Sequence, residues 1–246
     1  MKRMSALAFG LALACLGGAA RADFFDASLW GGYTTVNFND VNQSADLLNQ
    51  KYLGGGASVT HSTSGYLVGA DASFGLLPFI SVGPRVEYIA PGQLSMSYSG
   101  SLGNFKATED FACVPVMLGA RANFGIPFTG LSFNAGAYWG WAWATANEHF
   151  TISTSGNPPA DFQVPATGNG QAAELAAGAR YKLAPFTSLV LNLGYRFADI
   201  PSMTVGATPS NPYFTIASGA VQNINGATVP FDFGGFQVSG GLNLGF

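Results

Sequence analysis

The sequence predicts an all-β protein, an antiparallel up-and-down barrel of eight strands, on three observations. First, apolar residues recur at every second position through most of the chain, which is the period of a strand with two unlike faces. Second, three proline turns each separate two such segments: Leu77-Pro78-Phe79, Ile126-Pro127-Phe128-Thr129 and Ala184-Pro185-Phe186-Thr187. Proline presets a tight turn and does not continue a central strand. Third, the last eleven residues, 236–246, alternate strictly and leave a half-apolar strand with an edge to cover. Closing the sheet on itself removes that edge.

Charged residues make up 9% of the chain, against about 25% in ordinary soluble domains. The apolar fraction is 48%, with 33 glycines and 20 phenylalanines. Beyond the amino-terminus no apolar run approaches the ~18 residues of a membrane helix. A net charge of −3 gives no basic surface for nucleic acid. The start reads Met1-Lys2-Arg3, an apolar stretch from Met4 to Gly17, then Ala20-Arg21-Ala22. That pattern predicts a cleaved secretory signal peptide over 1–22 and a barrel domain over 23–246. Ala12 stands where a lipidation motif around Cys15 favours leucine, so Cys15 is not expected to be an anchor. Cys113 is then the one remaining cysteine and is expected to fill buried space.

The eight strands are expected at 27–38, 65–76, 80–90, 108–124, 131–144, 171–183, 188–198 and 236–246. The first has an ambiguous face; Trp30, Val36 and Phe38 are assigned outward. In the second, Tyr66, Val68 and Phe74 oppose Leu67, Asp71 and Ser73. The third sets Val82, Val86 and Tyr88 against Ser81, Arg85 and Glu87, with Pro84 inside it. The fourth sets Val114, Val116, Leu118 and Phe124 against Cys113, Pro115, Met117 and Arg121. The fifth is the clearest: Phe133, Trp139, Trp141 and Trp143 share one face, opposite Asn134, Gly136 and Tyr138. The sixth and seventh set Leu175, Tyr181, Leu191 and Phe197 against Glu174, Arg180, Lys182 and Arg196. Each expected strand reaches the ~9–11 residues that cross a bilayer at a tilt. Polar stretches at 39–63, 91–107, 145–170 and 200–230 read as long loops, with a short helix over 44–52 begun by Ser44 and stopped by Gly54.

The charges decide which face is outside. Asp71, Arg85, Glu87, Arg121, Glu174, Arg180, Lys182 and Arg196 all fall on the small, polar face. A water-facing surface would be crowded with Lys and Glu. A mostly small face with a few ions of both signs suits the narrow lumen of an eight-stranded barrel, where ions must pair. The expected partners are Arg85 or Arg196 with Glu87 or Glu174. The apolar face therefore meets lipid, with aromatic residues in a belt near each end.

With the strands so placed, the chain resembles the eight-stranded outer-membrane β-barrels of the OmpA-like and opacity-protein-like kind. The residues carrying the resemblance are Gly83-Pro-Arg-Val-Glu-Tyr88, Val114-Pro-Val-Met-Leu118, Leu191-Asn-Leu-Gly-Tyr-Arg-Phe197 and the terminal Phe246. The resemblance implies short periplasmic turns, long extracellular loops and no periplasmic domain after Phe246. It also implies contact with outer-membrane lipid and lipopolysaccharide. The assembly machinery is expected to read the carboxy-terminal strand ending at Phe246.

Chemistry is thin in this sequence. The two histidines, His61 and His149, lie in expected loops without metal-ligand spacing, and there is no cysteine cluster. No catalytic residue, metal or cofactor is expected, and the first expectation is a structural, surface-exposed barrel with a charge-filled lumen. Two alternatives stand beside it. One is a narrow pore, including a sideways conduit where Pro84 and Pro115 remove ladder donors. The other is a lipid-A-modifying enzyme, as some barrels of this kind are, drawing on His61, Ser62, Ser64, Glu148 or His149.

Overall fold

A computed structural model describes residues 24–100, 103–154, 159–206, 218–223 and 225–245 of the chain. The expected signal peptide and Phe246 lie outside the described residues. The first hairpin consists of β1 (Phe25–Thr35), the helix α1 (Asn39–Leu53), β2 (Ser58–Thr60) and β3 (Ser64–Leu77). The central strands are β4 (Ile80–Pro91), β5 (Leu94–Gly100), β6 (Gly103–Gly125), β7 (Leu131–Ser153) and β8 (Ala160–Ala184). The chain ends with β9 (Thr187–Ile200), β10 (Met203–Val205), β11 (Gly219–Ala220), β12 (Phe231–Asp232) and β13 (Gly235–Gly245).

Eight of these strands close a ring in the order β1, β3, β4, β6, β7, β8, β9, β13, every pair antiparallel. The terminal strand closes it: Ala27 faces Leu244 and Thr34 faces Gln237 across the β13–β1 seam. The proline turns sit where the sequence places them, joining β3 to β4, β6 to β7 and β8 to β9. Phe128 in the middle turn adopts a left-handed conformation with φ 65 and stands fully exposed.

Outward positions are apolar along the barrel wall. Trp139, Trp141 and Trp143 each keep about half of their surface exposed, as do Leu189, Leu191 and Leu193 on β9. Hydrocarbon is the solvent that accepts such a wall, and a closed barrel leaves no strand edge unpaired within it. On β7 the outward row changes from Trp143 to Thr145 and Asn147, which marks the upper limit of the apolar band. No helix among the described residues is long and apolar enough to cross a membrane.

Four expectations need correction. Trp30, Val36 and Phe38 point inward, at 3%, 5% and 1% exposure, while Leu29 and Tyr33 face out. Strand β1 is apolar or small on both faces, so alternation alone did not orient it. The helix starts at Asn39 rather than 44, has no side-chain cap, and ends on Gly54 in the left-handed conformation that glycine tolerates. Ser44 instead turns its hydroxyl back to the Asp40 carbonyl. The stretches 91–107 and 145–170 are largely strand: β6, β7 and β8 run 23, 23 and 25 residues. They cross the ~9–11 residues of bilayer and continue outward as a paired ladder, because their polar residues still alternate.

The two strand prolines act on the ladder without shifting it. On the β3–β4 seam the partners run from Asp71–Arg85 to Phe74–Val82, skipping Pro84 and Gly83. On the β4–β6 seam they run from Val86–Val116 to Ile89–Cys113, skipping Pro115 and Val114. The register is the same on both sides of each gap, so neither is a bulge.

Candidate functional site

Inward side chains fill the lumen in two layers. Toward the turn end lies an ionic network. Asp26 of β1 accepts from Arg121 at 2.5 Å, Arg180 at 3.0 Å, Ser73 at 2.9 Å and Asn243 at 3.1 Å. Asp71 takes Arg85 at 3.2 Å and Arg121 at 3.5 Å. Arg85 also pairs with Glu174, whose carboxylate receives the Gln237 amide at 2.7 Å. Arg196 completes the set with Glu87 at 3.2 Å, Gln237 at 2.7 Å and Thr34 at 2.9 Å. The Arg196 side chain has no exposed surface, and Glu87 and Glu174 have about 1% each.

The network balances four arginines against four carboxylates, Asp26, Asp71, Glu87 and Glu174. Burying one ion alone costs several kcal/mol, and full pairing is what makes this interior tolerable. Seven of the eight charged residues expected in the lumen take part: Asp71, Arg85, Glu87, Arg121, Glu174, Arg180 and Arg196. Lys182 does not; it stands exposed where β8 meets the turn. Its place in the balance belongs to Asp26, which sequence reasoning misses by beginning the first strand at Ala27 and assigning outward the face that Asp26 shares with Trp30.

Two large rings also enter this layer: Tyr138, on the face expected inward, and Trp30, expected outward. Trp30 and Tyr138 sandwich the Arg85 guanidinium, at 4.6 and 4.2 Å from their ring centres. Such stacking favours a desolvated arginine. Neighbouring glycines make the room: a Cβ on Gly69 would lie 2.6 Å from the Trp30 ring, and one on Gly119 2.3 Å from Tyr138. Gly69 and Gly119 are therefore slots for these rings.

Toward the loop end the filling changes to apolar packing. Phe38 lies against Phe111 and Phe233, with ring centres 4.8 and 4.9 Å apart, and Phe231 stands on the other side of Phe38. Val36, Ile89, Cys113, Ile200 and Met203 join this cluster. The two layers are stitched together by Arg196, which donates to the Phe233 carbonyl at 3.0 and 3.2 Å. Cys113 is buried and free, as a space-filler should be.

Above the cluster is a cavity of about 230 Å³ between α1, the β5–β6–β7 hairpins and the segment leading into β12. Its walls are mostly apolar, but Glu109 of β6 and Glu148 of β7 stand in it as direct cross-strand partners. Neither carboxylate has a hydrogen bond or counter-ion among the described residues. This part of the barrel lies beyond the tryptophan belt. Burial, the Glu148 charge and the Asp110 charge hold the Glu109 carboxyl well above the usual range, and burial brings Glu148 up to about 7.

The residues weighed for catalysis are not brought together. His61 lies 3.1 Å from Asp46 and His149 is hydrogen-bonded with Asp161, so each histidine is engaged by a separate exposed aspartate. Ser62 is tied through its backbone to Asn42 and carries no contact to either histidine. No group of three metal-ligating residues occurs among the described residues.

No protein-family model and no curated protein matches the sequence. Similar folds occur among solved structures. The outer membrane protein OprG from Pseudomonas aeruginosa aligns over 93% of this chain and 99% of its own, at 14% identity and TM-score 0.47. Neisserial surface protein A aligns over 90% and 96%, at 12% identity and TM-score 0.36. The attachment invasion locus protein Ail of Yersinia pestis aligns over 89% and 97%, at 12% identity and TM-score 0.35. At such identities the likeness concerns the fold alone. The closed ring, the apolar wall and the ion-filled interior make this chain an eight-stranded membrane-spanning β-barrel.

Proposed function

We propose that this chain is a structural, surface-exposed outer-membrane barrel with a sealed lumen, and that its working surface is the loop end. One observation carries the reading: a fully paired layer of four arginines and four carboxylates lies directly beneath an apolar layer centred on Phe38. An ion crossing the barrel would have to break the Arg196–Glu87–Gln237 contacts and then part the phenylalanines above them. Eight strands leave little interior beyond what side chains fill. The projecting hairpins β5 to β8 give the loop end a larger folded surface than the turn end, which has only short turns.

Single-channel recording tests the sealing. Purified protein in planar bilayers is expected to give no discrete conductance steps at neutral pH. Stable steps would replace this reading with the narrow pore. The enzyme alternative has its own readout: His61→Ala and His149→Ala are expected to leave lipid A unchanged in mass.

A further inference from the structure

We infer that the loop-end cavity is a binding site for a small apolar molecule bearing one protonated amine. This goes beyond the sealed-barrel reading and holds whether or not the lumen conducts.

The cavity differs from the rest of the interior in its electrostatics. In the ionic layer every carboxylate meets an arginine. In the cavity two carboxylates meet each other, and like charges directly opposite across two strands destabilise the pair. Among the described residues, the remaining walls supply no cation. Helix α1 presents Val41, Ala45 and Leu48; the segment before β12 presents Gln222 and Asn223; the hairpin presents Met96 and Phe105. The nearest charge on the same strands is Asp110, which adds to the repulsion. A cation placed between Glu109 and Glu148 resolves it, and the apolar walls select a cation attached to a hydrophobic body.

Size narrows the choice further. About 230 Å³ is below the ~300–1,000 Å³ of drug-sized sites, so the body is a compact ring or cage, not a lipid chain. A bare metal ion fits poorly, because no group of three His, Cys, Asp or Glu side chains able to hold one occurs among the described residues. The cavity thus combines a hydrophobic socket with an anionic end, and an amine-bearing cage molecule matches both.

The test uses the full barrel in nanodiscs, with empty nanodiscs as the partition control. The probes are 1-adamantylamine, the uncharged 1-adamantanol and 1-adamantanecarboxylate, followed by calorimetry. The amine is expected to bind saturably, at least tenfold more tightly than the alcohol, with no binding of the carboxylate. Its affinity is expected to rise between pH 6 and 8 as the two carboxyls give up their protons. Glu109→Gln combined with Glu148→Gln removes repulsion rather than packing, so the barrel folds and the preference for amine over alcohol disappears. Ala45→Phe fills the cavity and keeps both charges, and amine binding is expected to fall at least tenfold. Equal binding of amine and alcohol, amine binding that survives the double glutamine change, or amine binding that survives Ala45→Phe would each overturn the inference.

Discussion

The two layers of the lumen solve the same problem by opposite means. Both lie inside one ring of strands and both exclude solvent. The turn-end layer does so with paired ions whose geometry is fixed by hydrogen bonds. The loop-end layer does so with phenylalanines delivered partly from outside the barrel wall, by the β1–α1 junction and the segment around β12. The difference teaches where specificity resides. Ionic packing demands particular partners on particular strands, because an unpaired buried charge is costly. Apolar packing demands only volume and shape.

The largest effect that sharpens this contrast is expected for Arg196→Met. It leaves the Glu87 carboxylate buried without its cation and should lower stability by about 3–5 kcal/mol, read by equilibrium unfolding in lipid vesicles. Adding Glu87→Gln should recover most of that loss, since replacing both members of a pair costs far less than removing one. A single change that costs under about 1 kcal/mol would mean that the ions are hydrated and the layer is not sealed.

Phe38→Ala is expected next, at about 3 kcal/mol, because Phe38 is buried among three other rings and leaves a cavity that cannot collapse. Here Phe38→Leu should restore most of the stability, as no partner is fixed by charge. Combined with Arg121→Met at the far end of the ionic layer, the losses should add within about 0.5 kcal/mol. Strong coupling would join the two layers into one unit.

The smallest effect belongs to the hairpin above both layers. The raised carboxyl pKa values of Glu109 and Glu148 mean that the folded hairpin holds protons more tightly than the unfolded chain. Their contribution is therefore complete below the ordinary value of 4.5 and is lost as pH rises through about 7. Amide exchange in β6 and β7 outside the membrane should quicken over that window. The double glutamine variant should show a flat profile, and a slope unchanged by it would place the titration elsewhere.

Much of the ionic layer was legible in the sequence. Arg85, Glu87, Glu174 and Arg196 fall on the small face of their strands by simple alternation, and in a narrow barrel they have nowhere to go but toward each other. Alternation did not reach Asp26, which sits at a strand start, where periodic evidence is thinnest. It also placed Lys182 in the lumen, although Lys182 stands exposed at the turn end of β8, past the paired ions.

The apolar layer and the cavity were hardly legible at all. Phe231 and Phe233 lie between the expected loop at 200–230 and the expected strand at 236–246, and Phe38 reads as the end of an outward row. What turns them inward is each other: Phe38 packs against Phe111, Phe231 and Phe233 inside the ring. The Glu109–Glu148 pair depends on a register that carries β7 past its expected end at 144, so that Glu148, read as loop, meets Glu109 near the start of the fourth expected strand.

The sequence by itself determined the strand period, the proline turns, the closing role of the last strand and the sign of each wall, because these follow from neighbours two residues apart. Only the tertiary structure decided which large side chains enter the barrel, how the charges divide into pairs and where the cavity opens. Those depend on volumes and charges contributed by strands far apart in the chain, and no local pattern encodes them.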